Sequence, residues 1–251
     1  MKALITGASS GIGRDMAHIL HAKGIELWLV ARREDRLREL KDFLGDSVHI
    51  LALDLGNEEN CHILYNELKD KDIDIVINNA GFGQFGFFTD VALDRELEMI
   101  DLNIRAPHIL TKLFLRDFEE RGSGYILNVA SSAAFLPGPL MSVYYSTKAY
   151  LYRLTLAIYE ELRRKDSRVY VGVLCPGPVE TEFNSCAGVR FSIKSLTSMA
   201  VARYAIEKMF KKKLVIVPGL TVRLGTVFQR LVPTKLLLKI SYHIQHSKEK
   251  G

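Results

Sequence analysis

The chain has 251 residues, 48% of them hydrophobic and 25% charged, which is typical of a soluble protein with a sizeable core. No apolar run reaches the ~18 residues that a membrane-spanning helix needs, and Gly and Ser interrupt the N-terminal run before a signal-peptide core forms. Three cysteines without a CxxC pair argue against a disulfide framework and a thiolate metal site. We therefore expect no metal and a reducing, cytoplasmic location.

The net charge of +5 is unevenly distributed along the chain. Residues 201–251 hold eleven Lys and Arg against two acids, a net charge of +9, which leaves −4 for the other 200 residues. The protein is thus not basic all over, whereas a basic surface is the usual footprint of a nucleic-acid-binding protein. We predict no nucleic-acid partner.

Short runs rich in Val, Ile and Leu alternate with amphipathic stretches. The runs predict buried strands at 2–6, 26–30, 49–53, 73–77, 125–129, 169–174 and 213–217. The stretches between them predict helices near 11–23, 34–44, 58–70, 90–119 and 142–165. This alternation predicts one α/β domain over 1–251, with a doubly wound parallel sheet covered by helices on both faces. The Gly-, Ser-, Pro- and Thr-rich stretch 176–200 predicts a loop, and we assign 182–212 to a substrate loop or lid.

The first strand runs into a glycine-rich turn, Thr6-Gly7-Ala8-Ser9-Ser10-Gly11-Ile12-Gly13, which a helical pattern follows. Glycines let the backbone approach a ligand closely, and the start of the helix offers N–H groups and a positive dipole to a pyrophosphate. The spacing is GxxxGxG, and its position between a strand and a helix favours dinucleotide binding over an ordinary turn.

The second strand ends in Ala31-Arg32-Arg33, where an NAD-binding protein often has an acid that binds the ribose 2′-hydroxyl. The planar fork of arginine is suited to a phosphate instead. Arg14, just inside the following helix, adds a further cation near the glycine turn. We predict NADP(H) as the cofactor; the alternative is that Arg32 and Arg33 are the solvated start of helix 34–44.

Tyr144 and Lys148 carry the chemistry that we expect of the site. On a helix, residues four apart share a face, so the ammonium group lies near the phenol and is expected to lower the pKa of Tyr144 from ~10. Such a phenol is a general acid or base for a carbonyl or an alcohol. The YxxxK spacing also occurs at Tyr65/Lys69 and Tyr204/Lys208, but only Tyr144 follows a strand-end serine, Ser131, and a Pro-containing loop.

A set of motifs together resembles the short-chain dehydrogenase/reductase family over residues 1–183. The motifs are TGASSGIG at 6–13, NNAG at 78–81, Asn103 in LNIRAP, Ser131, Tyr144 with Lys148, and PGPVET at 176–181. The resemblance implies a single Rossmann-type domain with a parallel seven-stranded sheet flanked by helices, and assembly as a homodimer or homotetramer.

The resemblance also implies the role of each matching residue. The phosphate turn would consist of Thr6, Gly7, Ser9, Ser10, Gly11, Ile12 and Gly13. Asp54 and Leu55 would contact the adenine, Asn79, Ala80 and Gly81 the ribose, and Pro176, Gly177, Val179 and Thr181 the carboxamide end of the nicotinamide. Tyr144 would be the acid/base, Lys148 would bind the nicotinamide ribose, Ser131 would bind the substrate oxygen, and Asn103 would position a water in a proton relay to Lys148. Ser132 is the alternative to Ser131.

Apolar residues flank both sides of this site in the sequence. They are Phe82, Phe85, Phe87 and Phe88 after the fourth strand, and Phe135, Leu136, Pro137 and Leu140 before Tyr144. They indicate either a bulky apolar carbonyl substrate or packing beneath a lid. The basic amphipathic segment 219–247 also has two interpretations: contact with an anionic membrane surface, or a subunit interface or lid.

The sequence thus predicts an NADP(H)-dependent oxidoreductase that interconverts an apolar ketone or aldehyde and its alcohol by hydride transfer. An epimerase on the same scaffold would need a larger substrate domain than the residues after 181 provide. A non-catalytic NADP(H)-binding sensor or scaffold is the second alternative. It would have no need for a complete set of Asn103, Ser131, Tyr144 and Lys148.

Overall fold

The computed structural model describes residues 1–188 and 195–246. Its strands are β1 (Lys2–Thr6), β2 (Glu26–Ala31), β3 (Val48–Ala52), β4 (Ile75–Asn78), β5 (Tyr125–Val129), β6 (Tyr170–Leu174), β7 (Val179–Glu180), β8 (Leu196–Thr197) and β9 (Val215–Ile216). Its α-helices are α1 (Gly11–His21), α2 (Glu34–Leu44), α3 (Glu58–Leu68), α4 (Leu93–Ile100), α5 (Ala106–Arg121), α6 (Ser142–Arg164), α7 (Phe183–Ala187), α8 (Ser198–Phe210), α9 (Leu220–Phe228) and α10 (Thr234–His246).

The main sheet has seven strands, all parallel, in the order β3-β2-β1-β4-β5-β6-β9. The strand order reverses between β1 and β4, since β2 and β3 continue on one side of β1 and the later strands on the other. At such a reversal the carboxyl ends of the strands open into a crevice that binds ligands. The predicted Rossmann-type sheet is confirmed.

Helices cover both faces of the sheet, because its central strands are apolar on both sides. Met16 and Leu20 of α1 pack on one face together with Ile206 of α8. Leu64 of α3 and Phe114 of α5 pack on the other face. All five side chains are fully or almost fully buried, so the two layers hold the strand ends in place.

The helix predicted at 90–119 is interrupted. α4 ends at Ile100, the segment Asp101–Arg105 is π-helical, and α5 then continues to Arg121. π-helical turns inside helices are frequent at functional sites. Here the turn carries Asn103, whose side chain is fully buried.

The segment predicted as a lid, 182–212, is only partly a loop. Its second half forms α8, whose residues at helical spacing, Val201, Ala202, Ala205, Ile206 and Met209, are fully buried. At the start of α8, the Ser198 hydroxyl donates a hydrogen bond to the Asp15 carboxylate of α1. Residues 198–210 therefore belong to the core rather than to a lid, and 189–194 lie outside the described residues.

The C-terminal segment forms α9 and α10, with a 3-10 turn, Gln229–Leu231, between them. α10 folds back on the domain, because the Ser241 hydroxyl donates a 2.7 Å hydrogen bond to the Pro137 carbonyl. In the parts of the chain that the structure describes, no helix is both long and apolar enough to cross a bilayer.

Candidate active site

A cavity of about 550 Å³ lies at the carboxyl ends of the central strands, within the usual size range of ligand pockets. It extends past Arg32 and Asp54 on one side of the crevice and past Tyr144 and Phe183 on the other. The predicted site residues that line it are Gly7, Ser9, Ser10, Gly11, Ile12, Arg32, Arg33, Asp54, Leu55, Asn79, Ala80, Gly81, Ser131, Tyr144, Lys148, Pro176, Gly177, Val179 and Thr181. Thr6, Gly13 and Asn103 lie behind the wall and support it.

The glycine turn after β1 is locked to the end of β4. The Thr6 hydroxyl accepts hydrogen bonds from the backbone N–H groups of Asn79 and Ala80, each at 3.0 Å. The Asn79 side-chain amide in turn donates to the carbonyls of Thr6 at 3.0 Å and Gly7 at 3.1 Å. The TGASSGIG and NNAG motifs therefore form one unit, which explains why Thr6 is part of the site without facing the cavity.

This unit leaves no room for side chains at two of its glycines. Gly7 has a φ of +66°, and a Cβ there would lie 2.8 Å from Ala80 Cα. A Cβ on Gly13 would lie 2.5 Å from the Gly7 carbonyl oxygen. Because real Cβ atoms essentially never come within 3.0 Å of other heavy atoms, both positions require glycine.

The N-terminus of α1 fits an anion. Ser10 is at the N-cap, its side chain makes no capping hydrogen bond to the helix, and no acid lies in the first turn. Unpaired N–H groups and the helix dipole together favour a phosphate at this position. The cavity is lined by Ser9, Ser10, Gly11 and Ile12. This anion site at the N-terminus of α1, which we call the anion cradle, therefore opens into the cavity. Arg14 does not line the cavity and pairs with Asp15 instead.

The two arginines after β2 border the cavity, and each faces an acid. Arg32 Nη1 lies 3.8 Å from Asp54 Oδ2. Arg33 Nη2 donates to Ser9 Oγ at 3.2 Å and to Glu182 Oε2 at 2.7 Å. Arg33 thereby lowers the pKa of Glu182, and a hydrogen bond with Ser10 adds to the effect.

Sequence reasoning missed Glu182. Its partner Arg33 lies 149 residues away in the sequence, and an acid just beyond PGPVET has no distinctive local pattern. The carboxylate occupies the donors that we predicted would bind a phosphate. Glu182 therefore belongs to the site on the evidence of the structure alone.

Tyr144 and Ser131 meet at the end of β5. Tyr144 comes from the first turn of α6 and is 8% exposed. Ser131 forms a hydrogen bond with Tyr144, accepts one from the Ala133 N–H at 3.1 Å and lies 3.5 Å from the Pro176 carbonyl. Ser132 also lines the cavity, but its contact with Pro176 is made by its backbone N–H.

Lys148 lies on the same side of α6 as Tyr144, as the spacing predicts. Its Nζ donates to the Val129 carbonyl at 3.0 Å and lies 6.0 Å from the centre of the Tyr144 ring. Burial lowers the pKa of Lys148 to about 8, while Cys175 acts weakly in the opposite direction.

The direction predicted for the pKa of Tyr144 is wrong. Burial raises the pKa of the phenol above its usual value, and the hydrogen bond with Ser131 opposes this only in part. The Lys148 ammonium is bound to the Val129 carbonyl, and its own pKa is lowered by the same burial. Tyr144 is thus a neutral phenol at neutral pH.

Both hydrogen bonds that the side-chain amide nitrogen of Asn103 can donate are made to protein groups. Its Nδ2 donates to the Phe82 carbonyl at 2.9 Å and to Thr147 Oγ1 at 3.1 Å, and its Oδ1 accepts from the Phe82 N–H at 3.1 Å. Thr147 Oγ1 then donates to the Tyr144 carbonyl at 2.7 Å. Asn103 therefore fixes the backbone after β4 and the first turn of α6, and its predicted role in positioning a water stays a prediction.

One wall of the cavity near Tyr144 is apolar. Phe82, Met141 and Phe183 line it, and the Phe183 ring centre is 5.2 Å from that of Tyr144. Of the other apolar residues that the sequence indicated, Phe87 and Phe88 are exposed, while Phe135 packs against Tyr152. Phe183 and Met141 were not predicted, since neither belongs to a recognisable motif.

The other two YxxxK pairs lie away from the cavity. The Tyr65 hydroxyl donates to Asp117 at 2.9 Å, and Lys69 is exposed. Lys208 Nζ lies 5.0 Å from the Tyr204 ring and binds Glu207. The choice of Tyr144 from its context agrees with this placement.

Comparison with known proteins agrees with the fold and with the order of the motifs. The family model for short chain dehydrogenases matches residues 1–188. An uncharacterized oxidoreductase of Staphylococcus aureus (strain N315) is 31% identical over 224 residues, which are 88% of this chain and 96% of that protein.

Two solved structures are similar over almost the whole chain. A short-chain dehydrogenase from Sphingobium yanoikuyae in complex with NADPH has a TM-score of 0.82 and 30% identity, and the match covers 91% of this chain and 92% of that one. The bulky-bulky ketone specific alcohol dehydrogenase from Comamonas testosteroni has a TM-score of 0.79 and 29% identity, with 92% of both chains covered. Since the family model extends from the glycine turn past Tyr144 to the segment that bears Glu182, this protein belongs to the short-chain dehydrogenase family of oxidoreductases.

Proposed function

We propose that the protein is an NADP(H)-dependent oxidoreductase that interconverts an apolar ketone or aldehyde and its alcohol. The observation that carries the proposal is the placement of Tyr144. Its buried phenol is bound to Ser131 at the edge of the cavity, beyond the anion cradle of α1. A neutral, buried phenol next to a second hydroxyl is suited to give a proton to a carbonyl oxygen.

The residues present fit a dinucleotide. The glycines that exclude side chains, Gly7 and Gly13, and the open N-terminus of α1 form a cradle for the pyrophosphate. Asp54 and Leu55 would contact the adenine, and Asn79, Ala80 and Gly81 the ribose. Pro176, Gly177, Val179 and Thr181 would hold the nicotinamide end.

Arg33 supports the choice of NADP(H) over NAD(H). Its guanidinium points into the cavity mouth and already holds one anion, the Glu182 carboxylate. A 2′-phosphate would use the same donors from Arg33 and Ser9. Arg32, at the end of the same strand, adds a second positive charge.

A bound nicotinamide would supply the hydride. Ser131 holds the substrate oxygen, and Tyr144 supplies the proton. In the reducing direction the Tyr144 hydroxyl would give its proton to the carbonyl oxygen, which becomes the hydroxyl of the alcohol. Lys148 is the nearby cation that stabilises the phenolate left behind, and Asn103 holds the turn of α6 that carries both residues.

The apolar wall supports an apolar substrate. Phe82, Met141 and Phe183 would contact the groups on either side of the carbonyl. The similar alcohol dehydrogenase from Comamonas testosteroni is described as specific for bulky ketones. Assembly as a dimer or tetramer and a cytoplasmic location stay predictions.

The test is a panel of aliphatic and aromatic ketones and aldehydes, assayed with NADPH and with NADH. We expect turnover of bulky apolar carbonyls, with a larger kcat/KM and a lower Kd for NADPH. Tighter binding of NADH would contradict the cofactor assignment. Tight NADPH binding without turnover of any compound would support the sensor hypothesis instead.

A further inference from the structure

The last two helices present leucines and a phenylalanine to solvent in regular rows. On α9 and the turn after it, Leu220, Leu224, Phe228 and Leu231 follow one another at helical spacing and are between 48% and 80% exposed. On α10, Leu236 and Ile240 lie four residues apart and are 50% and 42% exposed. We call these six residues the C-terminal apolar surface. Scattered exposed apolar residues are normal, whereas continuous rows mark an interaction site.

Two polar residues of α10 point inwards, whereas Lys235 and Lys239 are exposed. Ser241 and Gln245 are almost fully buried: Ser241 donates to the Pro137 carbonyl, and the Gln245 amide donates to the Tyr145 hydroxyl. A helix of a soluble domain normally buries its apolar side. Here the hydrogen bonds hold the opposite orientation, with the apolar residues outside.

α9 is likewise held in place by contacts on the side opposite its exposed apolar row. Val222 packs so closely on Gly177 that a Cβ on this glycine would lie 2.7 Å from Val222 Cγ2. The contacts of the two helices with Gly177, Pro137 and Tyr145 place them at the edge of the cavity, since Gly177 and Tyr145 line it. Rotating either helix to bury its leucines would break these contacts.

The charge of the segment points to an anionic partner. Residues 208–248 include no Asp or Glu, and Arg223, Lys235 and Lys239 lie among the residues of the apolar surface. A second copy that docked through the same face would bring these cations together, which is unfavourable. Apolar residues mixed with Lys and Arg on a helix are typical of segments that lie in the interface of an anionic bilayer.

We propose that α9 and α10 anchor the protein on an anionic lipid bilayer through the C-terminal apolar surface. The apolar side chains enter the headgroup boundary, while the Lys and Arg side chains contact lipid phosphates. The anchor lies next to the cavity, so a bilayer-dissolved carbonyl compound would be close to the site. This last consequence rests on the proposed function, but membrane binding itself does not.

The test is sedimentation of the full-length protein with vesicles of phosphatidylglycerol and phosphatidylcholine, compared with vesicles of phosphatidylcholine alone. We expect at least tenfold stronger binding to the anionic vesicles and a marked loss of binding in high salt. Leu224→Glu and Leu236→Glu should each weaken binding at least tenfold. Phe43→Glu, at a 77% exposed position on α2, is the matched control and should bind like the wild type.

Circular dichroism and NADPH affinity show whether each variant is folded. Equal binding to neutral and anionic vesicles, or no binding to either, would overturn the proposal. So would a dimer that Leu236→Glu dissociates while vesicles have no effect, because the surface would then be a subunit interface. Sedimentation needs no turnover, so absence of reductase activity would contradict the proposed function and leave this inference standing.

Discussion

The Arg33 guanidinium and the Glu182 carboxylate form a 2.7 Å ion pair that joins the turn after β2 to the segment after β7. Both side chains are about half exposed, and both line the cavity. The carboxylate would therefore compete with the proposed 2′-phosphate for Arg33 and, through Ser10, for the N-terminus of α1. Glu182 is the side chain that a phosphorylated cofactor would have to displace.

We predict that Glu182→Gln tightens NADPH binding about two- to fivefold, since an exposed ion pair contributes roughly 0.5–1 kcal/mol. NADH lacks the 2′-phosphate, so its Kd should stay within a factor of about two. Titration of each reduced cofactor, followed by nicotinamide fluorescence, measures both values. Equal tightening of NADH and NADPH would show that Glu182 does not distinguish between them.

We predict the opposite effect for Arg33→Gln. Loss of charge-assisted hydrogen bonds costs about 1.5–3 kcal/mol, which is a ten- to hundredfold weaker Kd for NADPH. NADH binding should change little. Arg38→Gln is the matched control, since Arg38 pairs with Glu34 on the surface of α2. An Arg33→Gln variant that keeps wild-type NADPH affinity would contradict the NADP(H) assignment.

Lys148→Met should raise stability and remove activity. Burial lowers the pKa of Lys148 from 10.5 to about 8, so the charged form is disfavoured in the folded state at neutral pH. That shift corresponds to roughly 3 kcal/mol, and loss of the hydrogen bond to Val129 offsets about 1 kcal/mol of the gain. We therefore expect a Tm about 4–8 °C higher at pH 7.

The stability gain of Lys148→Met should depend on pH, because the pKa of Lys148 is lower in the folded protein than in the unfolded chain. Between the pKa of Lys148 in the folded protein, about 8, and its pKa in the unfolded chain, 10.5, the unfolded chain binds more protons than the folded one. The stability of the wild type therefore rises over this pH range, and the difference in Tm between variant and wild type becomes smaller. Thermal melts at pH 7 and pH 10 check this. Lys69→Met, which has the same YxxxK spacing but an exposed lysine, should show no such gain.

The pH profile of the reaction should follow the titration of Lys148. We predict that kcat/KM for ketone reduction is level between about pH 6 and 7 and falls above about 8, as Lys148 loses its proton. Tyr144 stays protonated in this range because burial raises its pKa, so the proton donor itself is not lost. NADPH affinity at each pH separates binding from chemistry. A profile that is level to pH 10 would exclude Lys148 as the titrating group.

The parts of the site that depend on local pattern could be predicted from the sequence. Glycines between a strand and a helix, and a tyrosine four residues before a lysine, are short-range signals, and the structure brings both to one cavity. The π-helical turn at Asp101–Arg105 was not predicted, because the whole stretch 90–119 was assigned to one helix. The ion pair of Glu182 depends on a contact 149 residues away.

The protonation state of Tyr144 could not be predicted from the sequence, for a different reason. The spacing to Lys148 indicates an electrostatic effect, whereas the degree of burial depends on Met141, Phe183 and other side chains that pack around the phenol. Desolvation of the phenol then raises its pKa by more than the hydrogen bond with Ser131 lowers it. In the same way, α8 was missed because its apolar residues follow a stretch whose composition predicts a loop.

Gly13→Ala tests the cradle directly. The added Cβ would meet the Gly7 carbonyl at 2.5 Å and the Asn79 amide, so the turn after β1 has to move. We expect a lower Tm and a Kd for NADPH weaker by at least tenfold. Gly225→Ala is the control: its Cβ meets nothing within 4 Å, and alanine inside α9 should be neutral or stabilise by about 0.5–1 kcal/mol. Similar effects of the two variants would contradict the steric account.

The central claim is that the Tyr144 hydroxyl donates the proton, and the rate of carbonyl reduction by Tyr144→Phe measures this most directly. General acid catalysis contributes about 10²–10⁴-fold, so we predict a loss of that size in kcat, with NADPH affinity and Tm close to those of the wild type. Tyr145→Phe, which removes a hydroxyl bound to Gln245 rather than to Ser131, should retain most of the activity. A Tyr144→Phe variant with wild-type turnover would contradict the account.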